Sequence, residues 1–202
     1  MIFVLSVFNG FNAVISDMIH QLSPDLNISA VKGKTINLND FPIDKLKEID
    51  GVDYVFPTIT EDALFKNSNK QQIGQVKGIP DDYNKVARIR GTILNDTSFS
   101  ISNEYYDFGI PGAGIAYFLG INIYQPYSSV QVYVPKRGNA SNFSLENSFS
   151  SGRLLVTKVF STQQEVDEKM VLAPFIWLSD LMGYEGLATD IEIFVNTQHS
   201  TG

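Results

Sequence analysis

The chain has 202 residues, enough to bury a sizeable core as one domain or two small lobes, and its 44% apolar, 18% charged composition is that of a globular protein. A net charge of -7, with no run of five Lys or Arg, argues against a nucleic-acid partner, because phosphate binding needs clustered cations. The absence of cysteine removes disulfides, thiolate catalysis and cysteine zinc sites, and leaves the redox compartment open.

Residues 1–16, MIFVLSVFNGFNAVIS, carry no charged side chain; the first is Asp17. A membrane span needs about 20 apolar residues, and this run is shorter and contains Asn9, Gly10 and Asn12. Beyond Gly10 the pattern becomes one-sided. Phe11, Ile15, Met18 or Ile19, and Leu22 share a helical face, with Asn12, Ser16, His20 and Gln21 off it. The segment reads as the outer end of a membrane helix that continues into water as an amphipathic stalk ended by Pro24. A buried first helix of a soluble domain is the alternative. A signal peptide is not predicted, because no Lys or Arg precedes the apolar run and no small-x-small site follows it.

Leu26, Ile28 and Ala30 alternate with Asn27 and Ser29, predicting a strand that ends by Val31 or Lys32. Pro42 is placed for the first turn of a helix, in which Ile43, Leu46 and Ile49 recur at intervals of three before Gly51. Residues 52–56 read as a strand extended by residues 63–65. Asn67, Ser68 and Asn69 then make a hairpin turn, and residues 71–79 return as the partner strand. Pro80, Asp81 and Asp82 open a short helix, where carboxylates suit the N-terminal end.

Residues 109–135, GIPGAGIAYFLGINIYQPYSSVQVYVP, join a helix to a strand. Ile115, Ala116, Phe118 and Leu119 offer one buried helical face, and Gly120 stops the helix. Val130, Val132 and Val134 alternate with Gln131, Tyr133 and Pro135, the period of a half-buried strand. A polar loop over residues 136–152 follows, with Phe143, Leu145 and Phe149 interrupting it, and residues 153–160 read as the next strand. An exposed aromatic gains nothing unless it packs somewhere. The loop is therefore predicted to fold back on its own lobe, to be disordered, or to protrude as a hairpin for a protein partner. Further on, residues 170–173 form an apolar strand, Pro174 opens a helix carrying Ile176, Trp177, Leu178 and Leu181, and Gly183 stops it. Ile191, Ile193 and Val195 mark a last strand. Both ends of the chain thus read strand, Pro, helix, Gly, strand, a repeat of pattern without identity. Two such units side by side predict an α+β layer with helices on one face, into which a β-rich lobe from about residue 90 to 164 is inserted.

Catalytic chemistry finds little support. The only two histidines, His20 and His199, lie in unrelated segments. Glu165, Asp167 and Glu168 read as a solvated turn, and no cofactor or metal site is predicted. Gly112, Ala113 and Gly114 look like the start of a phosphate loop, but Tyr117 stands where its third glycine belongs. A tight strand-to-helix turn is the better reading.

Several of these segments also resemble a known family. Residues 5–11, LSVFNGF, match the end of the first transmembrane helix of Lol permeases. Gly51 and Val52 followed by Val55 and Pro57, the helix ending Leu119-Gly120-Ile121 before alternating valines closed by Pro135, and residues 160–167, FSTQQEVD, match further motifs in order. Together they resemble the periplasmic core domain of MacB-type ABC transporter permeases, and within it the lipoprotein-releasing Lol permeases. The resemblance implies a two-lobed α+β domain. Residues 1–22 would end a transmembrane helix and stalk. Residues 23–88 and 165–199 would form a porter-like lobe, interrupted by a β-rich, Sabre-like lobe over residues 89–164. It further implies a non-catalytic segment, periplasmic on an inner-membrane permease, that works with a cytoplasmic ATPase and a second permease copy or paralogue. In the carrier-recruiting members an insertion at the place of the 136–152 loop forms a hook for the periplasmic lipoprotein carrier. By that resemblance Asn142, Phe143, Leu145 and Phe149 would fall on the hook, with Gln131, Lys136, Arg137 and Arg153 on the polar and basic patch beside it. The family's hook carries prolines, and this loop has none.

Overall fold

A computed structural model describes residues 22–94, 99–125, 128–136 and 149–196. The elements run β1 (Leu26–Ser29), β2 (Ile36–Asn37), α1 (Ile43–Lys47), β3 (Val52–Asn67), β4 (Lys70–Ile79), a 3-10 turn (Asp81–Lys85), α2 (Ala87–Arg90) and β5 (Ile110–Pro111). They continue as α3 (Ala113–Leu119), β6 (Ser129–Pro135), β7 (Phe149–Leu155), α4 (Gln164–Asp167), β8 (Met170–Pro174), α5 (Phe175–Met182), β9 (Leu187–Ala188) and β10 (Asp190–Val195). The fold is α+β. One sheet of 8 strands has the order β1-β10-β3-β4-β8-β5, with β6 and β7 continuing from β3, and β2 pairs with β9 in a small second sheet.

The long strand β3 organises this sheet. Residues 52–58 pair with β10, residues 59–67 with β4, and residues 64–66 with β6 on the edge that β10 has vacated. The two strands expected at 52–56 and 63–65 are thus one strand of 16 residues. The turn after it is the expected one: Ser68 takes a positive φ of 53°, and Asn67 faces Lys70 across the ladder. Chain ends meet in the sheet, since β1 pairs with β10 and β4 runs parallel to β8.

Strand parity divides the core. On one face Val55, Ile191 and Ile193 pack with Ile43 and Leu46 of α1, while Phe65, Val76, Val130, Val132, Val134, Leu154 and Ala173 pack with α3 and Leu178 of α5. On the other face Phe56, Phe194, Ile79 and Leu172 meet Tyr83 and Ile89 of the 3-10 turn and α2. Helices therefore cover parts of both faces, not one. The three valines of β6 are fully buried, as their alternation requires.

Local corrections have clear causes. Phe118 is 49% exposed, because Ile115, Ala116 and Leu119 already fill the inner face of α3 and leave Phe118 beside Tyr117 on the outer one. Gly120 ends that helix in the left-handed region at φ 65°, open to a residue without Cβ. Asp167 does not sit in a solvated turn. It is buried and accepts hydrogen bonds from Ser161 Oγ, Thr162 N and Thr162 Oγ1 at 2.8, 2.8 and 3.0 Å. Gly112 has an ordinary φ of -63°, and its need is space: a Cβ there would lie 2.4 Å from the Asp167 carbonyl oxygen. Strand β7 starts at Phe149 and ends at Leu155, earlier than residues 153–160, because Ser150 to Leu154 face Val134 to Val130 in register.

Candidate partner-binding site

Strands β6 and β7 form a hairpin with Gln131 opposite Arg153, Tyr133 opposite Ser151 and Pro135 opposite Phe149. Since Val130, Val132 and Val134 point into the core, these six residues share the outer face. Across β3 the row continues from Gln131 to Lys66 and from Tyr133 to Leu64, and β4 adds Gln71 and Ile73. The result is a sheet face with cations at Lys66 and Arg153 and an apolar row of Ile73, Leu64 and Tyr133; Ile73 is 75% exposed. Phe149 is the first residue of β7 and is 49% exposed; Lys136 is exposed just past the end of β6. The structure thus puts Gln131, Lys136, Phe149 and Arg153 on one hairpin, with Phe149 at the end of its strands and the pair Gln131–Arg153 further from that end. Arg137, Asn142, Phe143 and Leu145 lie outside the described residues, as do the proposed membrane segment and both histidines.

A second feature has no counterpart in the sequence reading. Between the edge of β7, helix α5 and the loop around residues 102–107 lies a cleft of about 800 Å³. Pro80, Phe175, Ile176 and Trp177 line its apolar part, and Asp81, Asp107 and Asp180 contribute three carboxylates. Burial, then the negative charges of Asp180 and Asp81, raise the Asp107 carboxyl above its ordinary value. Gly152 is required here, because a Cβ would come 2.5 Å from Trp177 Cζ2. Asp81, Asp107 and Asp180 are separated in sequence and come from the 3-10 turn, the loop before β5 and α5, so no local pattern could have announced the cleft.

The remaining polar cluster is internal. Lys77 and Glu192 are an ion pair of 2.7 Å with side chains 7% and 6% exposed, and Tyr83 OH donates to Glu192 Oε2 at 2.6 Å. Burial, then the Glu192 carboxylate, push the Tyr83 phenol well above its ordinary value. Among the described residues no group of three or more His, Cys, Asp or Glu could hold a metal ion, and no helix is long and apolar enough to cross a membrane.

This sheet, with β6–β7 extending the far half of β3 and α3 and α5 beneath it, is the fold of the periplasmic core domain of MacB-type permeases. The periplasmic region of MacB from Actinobacillus actinomycetemcomitans superposes with a TM-score of 0.52 at 13% identity, covering 86% of this chain and 69% of that one. The extracellular domain of the noncanonic ABC-type transporter YknZ from Gram-positive bacteria gives 0.47 at 14% identity, over 85% and 82%. In sequence the chain is similar to LolC, the lipoprotein-releasing system transmembrane protein of Buchnera aphidicola subsp. Schizaphis graminum (strain Sg). The two are 24% identical over 171 residues, 85% of this chain and 40% of that protein. The chain therefore spans less than half the length of this curated relative. No family model matches it. The family resemblance carried by the motifs is thus supported from both sequence and fold.

Proposed function

We propose that the chain is the periplasmic segment of an ABC transporter permease that helps extract lipoproteins from the inner membrane and pass them to a periplasmic carrier. Residues 1–22 end its first membrane helix and stalk. A cytoplasmic ATPase supplies the energy, a second permease copy or paralogue completes the assembly, and this segment carries no catalytic group. The division into a porter-like lobe (residues 23–88 and 165–199) and a Sabre-like lobe (residues 89–164) belongs to the same reading. Support for it comes from the sheet, where strands from both chain ends pair with one another, β1 with β10 and β4 with β8, while β6–β7 join it through β3 and β5 through β8.

The observation that carries the recruiting role is the end of the β6–β7 hairpin. Lys136 and Phe149 stand exposed there, and the outward cross-strand pair Gln131 and Arg153 lies further along the same two strands. An aromatic anchor buried in a partner's pocket typically contributes about 2 kcal/mol or more, and flanking cations steer an acidic partner. Phe143→Ala with Phe149→Ala is expected to weaken carrier binding at least tenfold, and Arg137→Glu with Arg153→Glu to slow association in a salt-dependent way. Binding of purified carrier to wild-type and variant chains, with melts run alongside, tests both. Equal binding by a folded double variant would remove the hook from the reading. The second reading, a MacB-type efflux permease that contacts a periplasmic adaptor instead, is favoured by the similarity to the MacB periplasmic region. Capture of an adaptor with no carrier binding would select it.

A further inference from the structure

The edge of β7 remote from β6 carries hydrogen-bonding groups that no strand among the described residues uses. Leu155 N donates to Asp107 O at 3.1 Å, and Leu155 O accepts from Gly109 N at 2.8 Å, so the Leu155 peptide groups face away from β6. Val156 N donates to Ser128 O at 2.7 Å, so the next residue faces toward it. The β6–β7 register runs without a break from Leu155 to Phe149. In an antiparallel ladder residues alternate between facing the partner and facing away. Arg153, Ser151 and Phe149 therefore turn their N–H and C=O groups outward like Leu155, and among the described residues no strand pairs with them there. Natural sheets commonly shield such an edge; this one opens onto the cleft walled by Trp177, Ile176 and the three aspartates.

We propose that this edge and its cleft form a strand-addition site for an extended segment of a protein partner carrying a Lys or Arg between apolar residues. The partner backbone continues the sheet beside Ser151 and Arg153. Its alternate side chains, which project to one face of the sheet, place the cation among Asp81, Asp107 and Asp180 and its apolar neighbours against Trp177 and Ile176. Two independent features carry this. Unpaired backbone groups specify an extended partner, as in other cases of strand addition, and the lining specifies its side chains, since carboxylates and an indole both attract a cation. Asp107 is unusual in having only negative neighbours among the charges that shift it, which is the situation a bound cation relieves. The site differs from the outer face bearing Gln131 and Arg153, and does not depend on the identity of the carrier.

Trp177 is the only tryptophan, so its fluorescence reads occupancy of the cleft directly. The probe is an eight-residue peptide alternating Val and Thr with Lys at a central position, compared with its Glu counterpart and with a version N-methylated on the edge-facing amides. Titration of the full chain is expected to give saturable change with the Lys peptide and at least tenfold weaker binding with the other two. Ser151→Pro removes an N–H that the β6 ladder does not use, and should lower affinity at least tenfold. Asp107→Asn with Asp180→Asn should flatten the salt dependence. Equal affinity for all three peptides, or no saturable change up to millimolar Lys peptide, overturns the proposal. So does a response that follows chain concentration alone, which would make a second copy the occupant. If Ser151→Pro does not fold, the N-methylated peptide decides alone.

Discussion

Lys77, Tyr83 and Glu192 form a charged cluster whose side chains are almost fully buried. Its two charges are satisfied by each other and by the phenol, and the geometry is close enough to offset much of the desolvation. Removing one partner leaves the other charge buried. Lys77→Met should therefore cost about 3–5 kcal/mol, and adding Glu192→Leu should recover much of it, which denaturant titration of the single and double variants measures. Asp107 makes the opposite case. Its folded-state carboxyl lies above the ordinary value, so its contribution to stability is fully present below the unfolded-state pKa and is lost as pH rises through the folded one. At neutral pH the ionised group opposes folding. Asp107→Asn should raise the melting temperature at pH 7, and the gain should vanish below about pH 4, where the unfolded-state carboxyl is also protonated. An equal gain at both pH values would assign the effect to something other than charge.

The hairpins supply the next scale. Ser68 holds φ 53° in the two-residue turn between β3 and β4, a conformation that costs an L-residue roughly 1–2 kcal/mol and glycine almost nothing. After glycine's larger entropy loss, Ser68→Gly should still stabilise by about 0.5 kcal/mol, seen as a higher denaturant midpoint with an unchanged slope. In the β6–β7 hairpin the constraint is steric. Gly152 lies on the inner face against the Trp177 ring, so Gly152→Ala forces helix α5 or the ring to move, at about 1–3 kcal/mol. The same substitution should shift the Trp177 emission, because the ring must leave its present contact. Loss of stability without a spectral change would place the strain elsewhere.

At the scale of the whole molecule the two ends of the described chain are tied at one point. Arg88 donates to Asp25 Oδ1 and to Ser23 O, each at 2.9 Å, and its guanidinium lies 4.9 Å from the Phe194 ring centroid. Asp25 Oδ2 accepts from Val195 N at 2.9 Å. The segment entering β1 and the end of β10 are thus held by an arginine–aspartate contact beside the main-chain ladder. Arg88→Ala removes hydrogen bonds to a charged group, about 1.5–3 kcal/mol where partly shielded. Amide exchange at Leu26–Ser29 and Val195 should quicken while β4 and β8 keep their protection. Uniform acceleration across the sheet would show a global loss of stability instead of a local clamp.

Much of this architecture was readable before any coordinates. Period-2 valines placed Gln131 and Tyr133 on an outer face, Pro42 opened α1 (which ends at Lys47, short of the expected stop at Gly51), Gly120 stopped α3, Pro174 and Gly183 bounded α5, and Asn67-Ser68-Asn69 marked a turn. In each case the cause lies within a few residues, in side-chain alternation or in backbone conformations that only some residues accept. The motifs that resemble MacB-type permeases pointed to the right fold for the same reason, since they preserve these local constraints. What tertiary structure alone decided depends on groups distant in sequence. Phe149 became a strand residue because Pro135 lies opposite it, and Asp167 became buried because Ser161 and Thr162 turn back over it. Lys77 and Glu192 met across β3, and the carboxylates of Asp81, Asp107 and Asp180 converged on a cleft beside an unpaired edge. A strand's free edge and a cleft's charge are properties of neighbours, and neighbours from opposite ends of a chain are chosen by the fold.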